Sequence, residues 1–297
     1  MFDCIIIGCG YVGRRVAALE QAAGRSVLGV VRSADSAAAL AASGIEARTA
    51  DLDQSDSLAS LPVAGTTVYY MAPPPPRGDS DPRMEGFVGT VQRSGVPDRV
   101  VLISTTGVYG DCRGEWVGEQ RPPKPQAERA RRRLAAEQIL LQWGRDQEVP
   151  VAVLRVPGIY GPGRLPAKRL RERLPVLLEA EAPFSNRVHV DDLARSCLAA
   201  ARRGAHGAVY NISDGAPTTM TDYFNRVADA LGVPRPPQIS LAQARRELSA
   251  GMLSYLAESK RVDNRRMREE LGVTPEFGDL DAGLRACVGD ASETPRR

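Results

Sequence analysis

Three glycines near the start of the chain, Gly8, Gly10 and Gly13 in GCGYVG, directly follow an apolar run and lead directly into a helical pattern. In that context the spacing suits a turn that cradles a dinucleotide's pyrophosphate. Gly8 permits the tight bend, Gly10 lets the main chain approach an anion, and Gly13 lets helix and strand pack closely. The helix start at Tyr11 and Val12 then offers unpaired N–H groups to that anion. The competing reading is an ordinary glycine turn joining strand to helix. Sites for NAD usually place Asp or Glu at the end of the second strand, about 20 residues on, whereas here Arg32 and Ser33 follow Val31. A guanidinium can hold a 2′-phosphate bidentately, so NADP is expected in preference to NAD, with Asp35 close enough to keep NAD open. Against this, Arg32 reads as a solvated loop residue and Ser33 as the cap of the next helix.

Other residues could do chemistry of their own. His189 in VHVDD stands just before Asp191 and Asp192. That invites a metal, base or substrate role, set against a plain helix entry with acids favourable to the dipole. His206 is isolated, so no two-histidine metal group forms, and no Gly-x-Ser-x-Gly elbow announces a serine hydrolase. The run RARRR, Arg129 to Arg133, reads first as a solvated face offset by Glu128 and Glu137. Arg129 and Arg133 are nevertheless four apart on one helical face, and two guanidiniums there could bind a carboxylate or phosphate of a substrate. Pro73 to Pro76 followed by Arg77 looks like a polyproline ligand, or a stiff loop after a strand.

The elements that must position these residues alternate along the chain. Phe2 to Ile7, Ser26 to Val31, Thr66 to Met71, Arg99 to Ser104 and Val151 to Val156 read as strands apolar on both faces. Helical patterns fall at Val12 to Ala23, Asp35 to Ser43, Met84 to Arg93 and Gln126 to Arg145. This βαβα order predicts an α/β chain, a Rossmann-type doubly wound parallel sheet with right-handed crossovers. Past Ile159 the texture changes to a Gly/Pro-rich stretch, then a helix near Asp191 to Arg203, a strand near Ala208 to Ile212 and a helix near Thr221 to Leu231. We divide the chain into a nucleotide-binding part at 1–158, a smaller interleaved substrate-side region at 159–290 and a loose polar tail at 291–297.

The 297 residues, 43% apolar and 25% charged, exclude a disordered or fibrous chain. A formal charge of +3 with interspersed signs gives no electrostatic case for a nucleic-acid partner. Five cysteines without Cys-x-x-Cys spacing argue against a disulfide framework or zinc cage and fit a reducing cytoplasm. Neither a secretory leader nor an apolar run of the ~18 residues needed for a membrane span is present, so a soluble cytoplasmic protein is expected.

Five further segments occur in order across residues 2 to 235: the acidic pair around a leucine (Asp51, Leu52, Asp53), YYMAPPPP, LISTTGVYGD, LRVPGIYGPGR and NRVHVDDLA. With the glycine turn, they make the chain resemble the extended short-chain dehydrogenase/reductases, also called the NAD-dependent epimerase/dehydratase family. The short Gly-x-Gly-x-x-Gly turn is similar to that of the atypical extended members. The resemblance implies an adenine contact near Asp51 and Leu52, main-chain contact near Ala72 and Pro73, and a nicotinamide under Thr105 and Pro157. It also implies a small polar substrate such as a nucleotide sugar, and a homodimer through two helices, as is common in the family.

One departure stands out. The family's Tyr-x-x-x-Lys is missing: the three lysines, Lys124, Lys168 and Lys260, are preceded four residues earlier by Gln120, Arg164 and Leu256. Alignment through RLAAEQILL puts Arg129 at the Tyr position and Arg133 at the Lys position. An arginine does not give up a proton at neutral pH. Loss of a positioned acid/base slows chemistry by about 10²- to 10⁴-fold, roughly 3 to 5 kcal/mol of barrier, without removing proximity effects. Thr105 matches the family's Ser/Thr that hydrogen-bonds the reacting oxygen, or else satisfies the strand end. Tyr109 could serve as a substitute acid only if a nearby cation lowered its reference pKa of about 10; otherwise it is packing. The expectation is an NAD(P)-binding oxidoreductase or epimerase-like protein with an altered acid/base site. The alternative is a catalytically silent NADP-binding redox sensor or interaction module.

Overall fold

Alternation along each strand decides where its side chains go. In the computed structural model, β1 (Cys4–Ile7) sends Ile5 and Ile7 to one face and Cys4 and Ile6 to the other. Both faces are covered, so all four residues are buried, each of the larger side chains stabilising the fold by about 1.5–3 kcal/mol. The structure describes residues 2–248, 251, 253 and 256–289; the tail 291–297 lies outside them.

Six more strands join β1: β2 (Val27–Val31), β3 (Glu46–Thr49), β4 (Thr67–Tyr70), β5 (Arg99–Thr105), β6 (Val151–Val156) and β7 (Ala208–Asn211). Their order is β7-β6-β5-β4-β1-β2-β3, every neighbour parallel. The sheet is therefore the doubly wound Rossmann type expected, its order reversing between β1 and β4, where ligands enter such sheets at the carboxyl ends. The strand β3 went unread because three of its four residues are exposed, so it carries no apolar run.

One face is covered by α1 (Tyr11–Ala22), α2 (Ala34–Ala41) and a helix further on that packs against α1; the other by α3 (Pro82–Ser94) and α4 (Glu128–Asp146). Helix α3 begins two residues earlier than its apolar pattern, because the Asp81 carboxylate accepts the Met84 N–H at 3.2 Å and Pro82 occupies the first turn. The covering helix that packs on α1 is α5 (Val190–Arg203). Two helices of the C-terminal part, α6 (Met220–Ala230) and α7 (Leu280–Gly289), enclose a separate small core around Tyr160, Phe224, Val227 and Leu284. Short ribbons tie that part to the sheet's carboxyl edge. Gly158–Tyr160 pairs with Arg187–His189, Phe184–Ser185 with Thr218–Thr219, and Trp116–Val117 with Arg261–Val262. No helix among the described residues is long and apolar enough to cross a membrane.

Candidate functional site

The carboxyl ends of β1, β4, β5 and β6 meet at one edge of the sheet. Gly8 leaves β1 at φ +82°, and a Cβ there would lie 2.7 Å from the Ala72 main chain, so this turn and the end of β4 close against each other. A Cβ at Gly13 would come 3.0 Å from Ile6 Cγ2, the tight helix–strand approach expected. At Gly10 a Cβ would meet nothing nearer than the Gly8 carbonyl oxygen at 3.9 Å. The protein itself has room there, so the main chain is open to approach at this position. Helix α1 has no side-chain cap and no acid in its first turn, leaving the amide end that starts at Tyr11, Val12 and Gly13 open to an anion. These features fit a dinucleotide's pyrophosphate.

Tyr11 also reaches across the cleft. Its hydroxyl donates to the Pro162 carbonyl at 2.9 Å, and its ring carries the guanidiniums of Arg15 and Arg164 at 4.3 and 4.8 Å. Gly161, at φ +154°, makes the approach possible, since a Cβ there would lie 2.5 Å from the Tyr11 hydroxyl.

Arg32 is exposed directly after β2. Ser33 caps α2, accepting the Ser36 N–H at 3.3 Å, and Asp35 lies exposed in that helix's first turn. Asp51 accepts the Asp53 N–H at 3.1 Å, while Leu52 packs half-buried against the α3/α4 core. Asp53 does not face the turn: Arg83 grips its carboxylate at 2.6 and 2.7 Å, holding its pKa below the usual range, and donates also to the Pro73 carbonyl at 3.1 Å. The arginine run acts on the same proline-rich loop. Arg133 donates to the Ala72 carbonyl at 2.9 Å, Arg132 to Gly78 at 2.7 Å, and Arg131 to the Asp79 carboxylate at 2.6 Å. The run is not a purely solvated face; three of its guanidiniums are fastened to the segment 72–79, making the prolines a held loop.

Beside the turn lies a cavity of about 580 Å³ whose lining includes Thr105, Arg129, Arg133 and Pro157, four of the residues singled out from sequence. Thr105 accepts the Gly107 N–H at 3.1 Å, which caps the short turn Thr106–Tyr109 and leaves its own O–H to donate. Arg133 is half-buried, and burial pulls its guanidinium pKa below the usual value.

Tyr109 and His189 are not brought to this cavity. Tyr109 is buried, its hydroxyl donating to Asn211 Oδ1 at 2.8 Å. Burial pushes its pKa up, although the Arg155 guanidinium, 4.8 Å over the ring, works the other way. The lowered pKa that a substitute acid needs is therefore missing. His189 is buried as well: Nδ1 accepts the Asp191 N–H at 3.3 Å and so caps α5, and Phe277 packs on the ring at 4.0 Å. With Nδ1 an acceptor, the neutral ring carries its proton on Nε2. Burial lowers the His189 pKa, keeping it in that form.

Several residues of the site were not singled out from sequence. The far wall includes Arg187, which pairs with Gly158 in the three-residue ribbon, Tyr223 on α6, and Glu258 and Lys260 just before the Arg261–Val262 ribbon. Lys260, a buried side chain, meets Glu258 at 2.7 Å. Beneath the cavity the carboxylate of Glu137 takes the Arg155 guanidinium at 2.8 Å together with the Ser104 hydroxyl, all three buried. The sequence signal for this pair was a charge set inside the apolar strand VAVLRV.

A model of the NAD dependent epimerase/dehydratase family matches residues 4–213. Protein YeeZ of Escherichia coli K12 is 28% identical over 293 residues, covering 92% of this chain and 96% of YeeZ. Among solved structures, a functionally unknown conserved protein from Silicibacter pomeroyi is similar with TM-score 0.86 and 30% identity over 98% of this chain and 99% of its own. UDP-glucose 4-epimerase of Thermotoga maritima, solved with UDP-glucose, shares the fold at TM-score 0.81 and 19% identity, each chain covered to 98%.

Proposed function

From the premise that the chain belongs to the NAD dependent epimerase/dehydratase family, we propose an enzyme that seats NADP, in preference to NAD, on the Gly8–Gly13 turn. It acts on a small polar substrate of the nucleotide-sugar class in the adjoining cavity. The observation that carries this reading is the Gly10 position, open to an approaching ligand at the amide end of α1, with a cavity lined by Thr105 and Pro157 at the same carboxyl edge of the sheet. The exposed Arg32 beyond β2 supports the 2′-phosphate preference. The five buried cysteines fit work in a reducing cytoplasm.

A bound nicotinamide supplies or takes up hydride at its C4. The chain's own residues do the rest. The turn and the held loop at Ala72–Pro73 orient the dinucleotide, and Thr105 donates its O–H to a substrate oxygen. Arg129 and Arg133, set where the family carries its acid and its lysine, stabilise negative charge on that oxygen without transferring a proton. The withdrawal of Tyr109 from the cavity favours a second reading, a dinucleotide-binding protein that does not turn over. Calorimetry with NADPH and NADH, followed by a panel of carbonyl compounds and nucleotide sugars, separates the two. Consumption of NADPH supports the enzyme, and binding without consumption supports the silent form. Absence of heat with either coenzyme removes both.

A further inference from the structure

Arg129 and Arg133 keep their protons, so they can stabilise charge on a substrate oxygen but cannot protonate it. Among the charged and phenolic side chains lining the cavity, Tyr223, Glu258 and Lys260 are of the types that exchange a proton. Burial pushes the Tyr223 phenol up, which makes it the weaker acid. Glu258 answers the Lys260 ammonium at 2.7 Å, and a carboxylate in an ion pair has no proton to give. An ammonium has three. The Lys260 side chain is 8% exposed and that of Glu258 11%, whereas Lys124 and Lys168 are exposed. A pair so far out of water is weak support for a fold, since apolar side chains of similar volume often serve as well or better. Among the described residues Nζ donates to Glu258 alone, so two of its N–H donors are left over at the wall of a cavity. The main chain on either side is braced. The Lys260 N–H donates to the Phe184 carbonyl at 3.5 Å, Asn186 Nδ2 donates to the Lys260 carbonyl at 3.0 Å, and Asn186 Oδ1 accepts the Val262 N–H at 2.8 Å. A lysine fixed at its root, with a carboxylate holding its head, is preorganised for one position.

We propose that Lys260 is the catalytic acid of this cavity, its ammonium protonating the substrate's carbonyl oxygen in place of the absent tyrosine, with Glu258 the positioning residue that keeps the amine charged. This rests on reading the chain as an enzyme with its substrate in the cavity, and it supplies the proton that reading lacks. The reductant is the dihydronicotinamide already named. As hydride reaches the carbonyl carbon, the C=O π pair passes to the oxygen, one Nζ–H bond breaks and an O–H bond forms. The neutral amine left behind regains its proton from water, and oxidation of an alcohol uses the same atoms in reverse.

The test uses full-length protein with NADPH and the carbonyl panel. Lys260→Arg keeps the cation without the releasable proton, so kcat is expected to fall by about 10²- to 10⁴-fold while KM stays within about threefold. Wild-type reduction slows as pH rises and the ammonium is lost, and that alkaline limb is absent from Lys260→Arg. Glu258→Gln retains the limb but moves it to lower pH, because an adjacent carboxylate favours the charged amine. A merely structural ion pair would change the Tm in these variants and leave the pH profile alone. Apart from turnover, acetic anhydride followed by mass spectrometry is expected to label Lys260 in the folded protein, with Lys124 and Lys168 as exposed references. If Lys260→Arg does not fold, the double variant Lys260→Met, Glu258→Met removes both charges and is judged by the same loss of kcat and of the limb. An unchanged kcat in a folded Lys260 variant, an alkaline limb that survives there, or a Lys260 that escapes labelling until the protein unfolds would each overturn the proposal while leaving the enzyme reading intact. A wild type that turns over nothing in the panel removes that reading and the proposal with it.

Discussion

Substituting alanine at two glycines two residues apart should produce opposite defects. At Gly8 the methyl falls 2.7 Å from the Ala72 main chain on a backbone at φ +82°. A left-handed conformation costs an alanine about 1–2 kcal/mol, and overpacking against the main chain adds about 1–3. Gly8→Ala should therefore lose about 2–5 kcal/mol, a large share of the roughly 5–15 that hold a typical domain folded. At Gly10 the same methyl meets only a carbonyl oxygen at 3.9 Å. The stability change should stay within about 1 kcal/mol, that of an altered helix cap. On the proposed reading the methyl intrudes on the coenzyme, so NADPH affinity should fall by at least about tenfold, near 1.4 kcal/mol, and Gly10→Val should abolish it. Urea unfolding followed by circular dichroism gives the first quantity and NADPH fluorescence titration the second. Wild-type affinity in Gly10→Ala, or equal destabilisation of the two variants, would refute the assignment of one glycine to packing and the other to the ligand.

Other outcomes follow from the same geometry. Arg155→Met should cost about 3–5 kcal/mol in urea unfolding by leaving Glu137 buried and unpaired, and adding Glu137→Leu should restore much of that; equal losses in single and double variants would count against a paired buried site. Arg32→Asp should weaken NADPH more than NADH, and equal weakening measured by titration would remove the NADP preference. For Asp214, burial raises the folded pKa to about 7 from the ordinary 3.8, so its contribution to stability is fully present below about pH 4 and is lost as pH rises through 7. The stability advantage of Asp214→Asn over the wild type should therefore grow between pH 4 and 7, and a difference independent of pH would show that the carboxyl titrates normally.

How legible the site was depended on how each residue is held. The central strands and the glycine turn declared themselves, because a strand buried on two faces must be apolar throughout and a turn against Ala72 must be glycine. The edge strand Glu46–Thr49 has no such obligation and left no trace. Thr105, Arg129, Arg133 and Pro157 converge because each stands at or beside the carboxyl edge of the sheet. Tyr109 and His189 looked chemical by residue type, but their surroundings, a neighbouring amide oxygen and a helix terminus, are tertiary facts absent from local spacing. The far wall around Arg187 and Lys260 is assembled by ribbons of two or three residues between distant segments, too short for any periodicity to register. The arginine run was read chiefly as a solvated face because its acceptors, two main-chain carbonyls and the Asp79 carboxylate, lie in the loop 72–79, about fifty residues away, which local charge spacing does not reveal.

The tether from Tyr11 to Pro162 joins residues 151 positions apart, one opening the phosphate turn and the other in a loop beside α5. A strut that closes so long a stretch of chain passes order from one end to the other: whatever steadies the turn steadies the loop, and whatever loosens the loop loosens the turn.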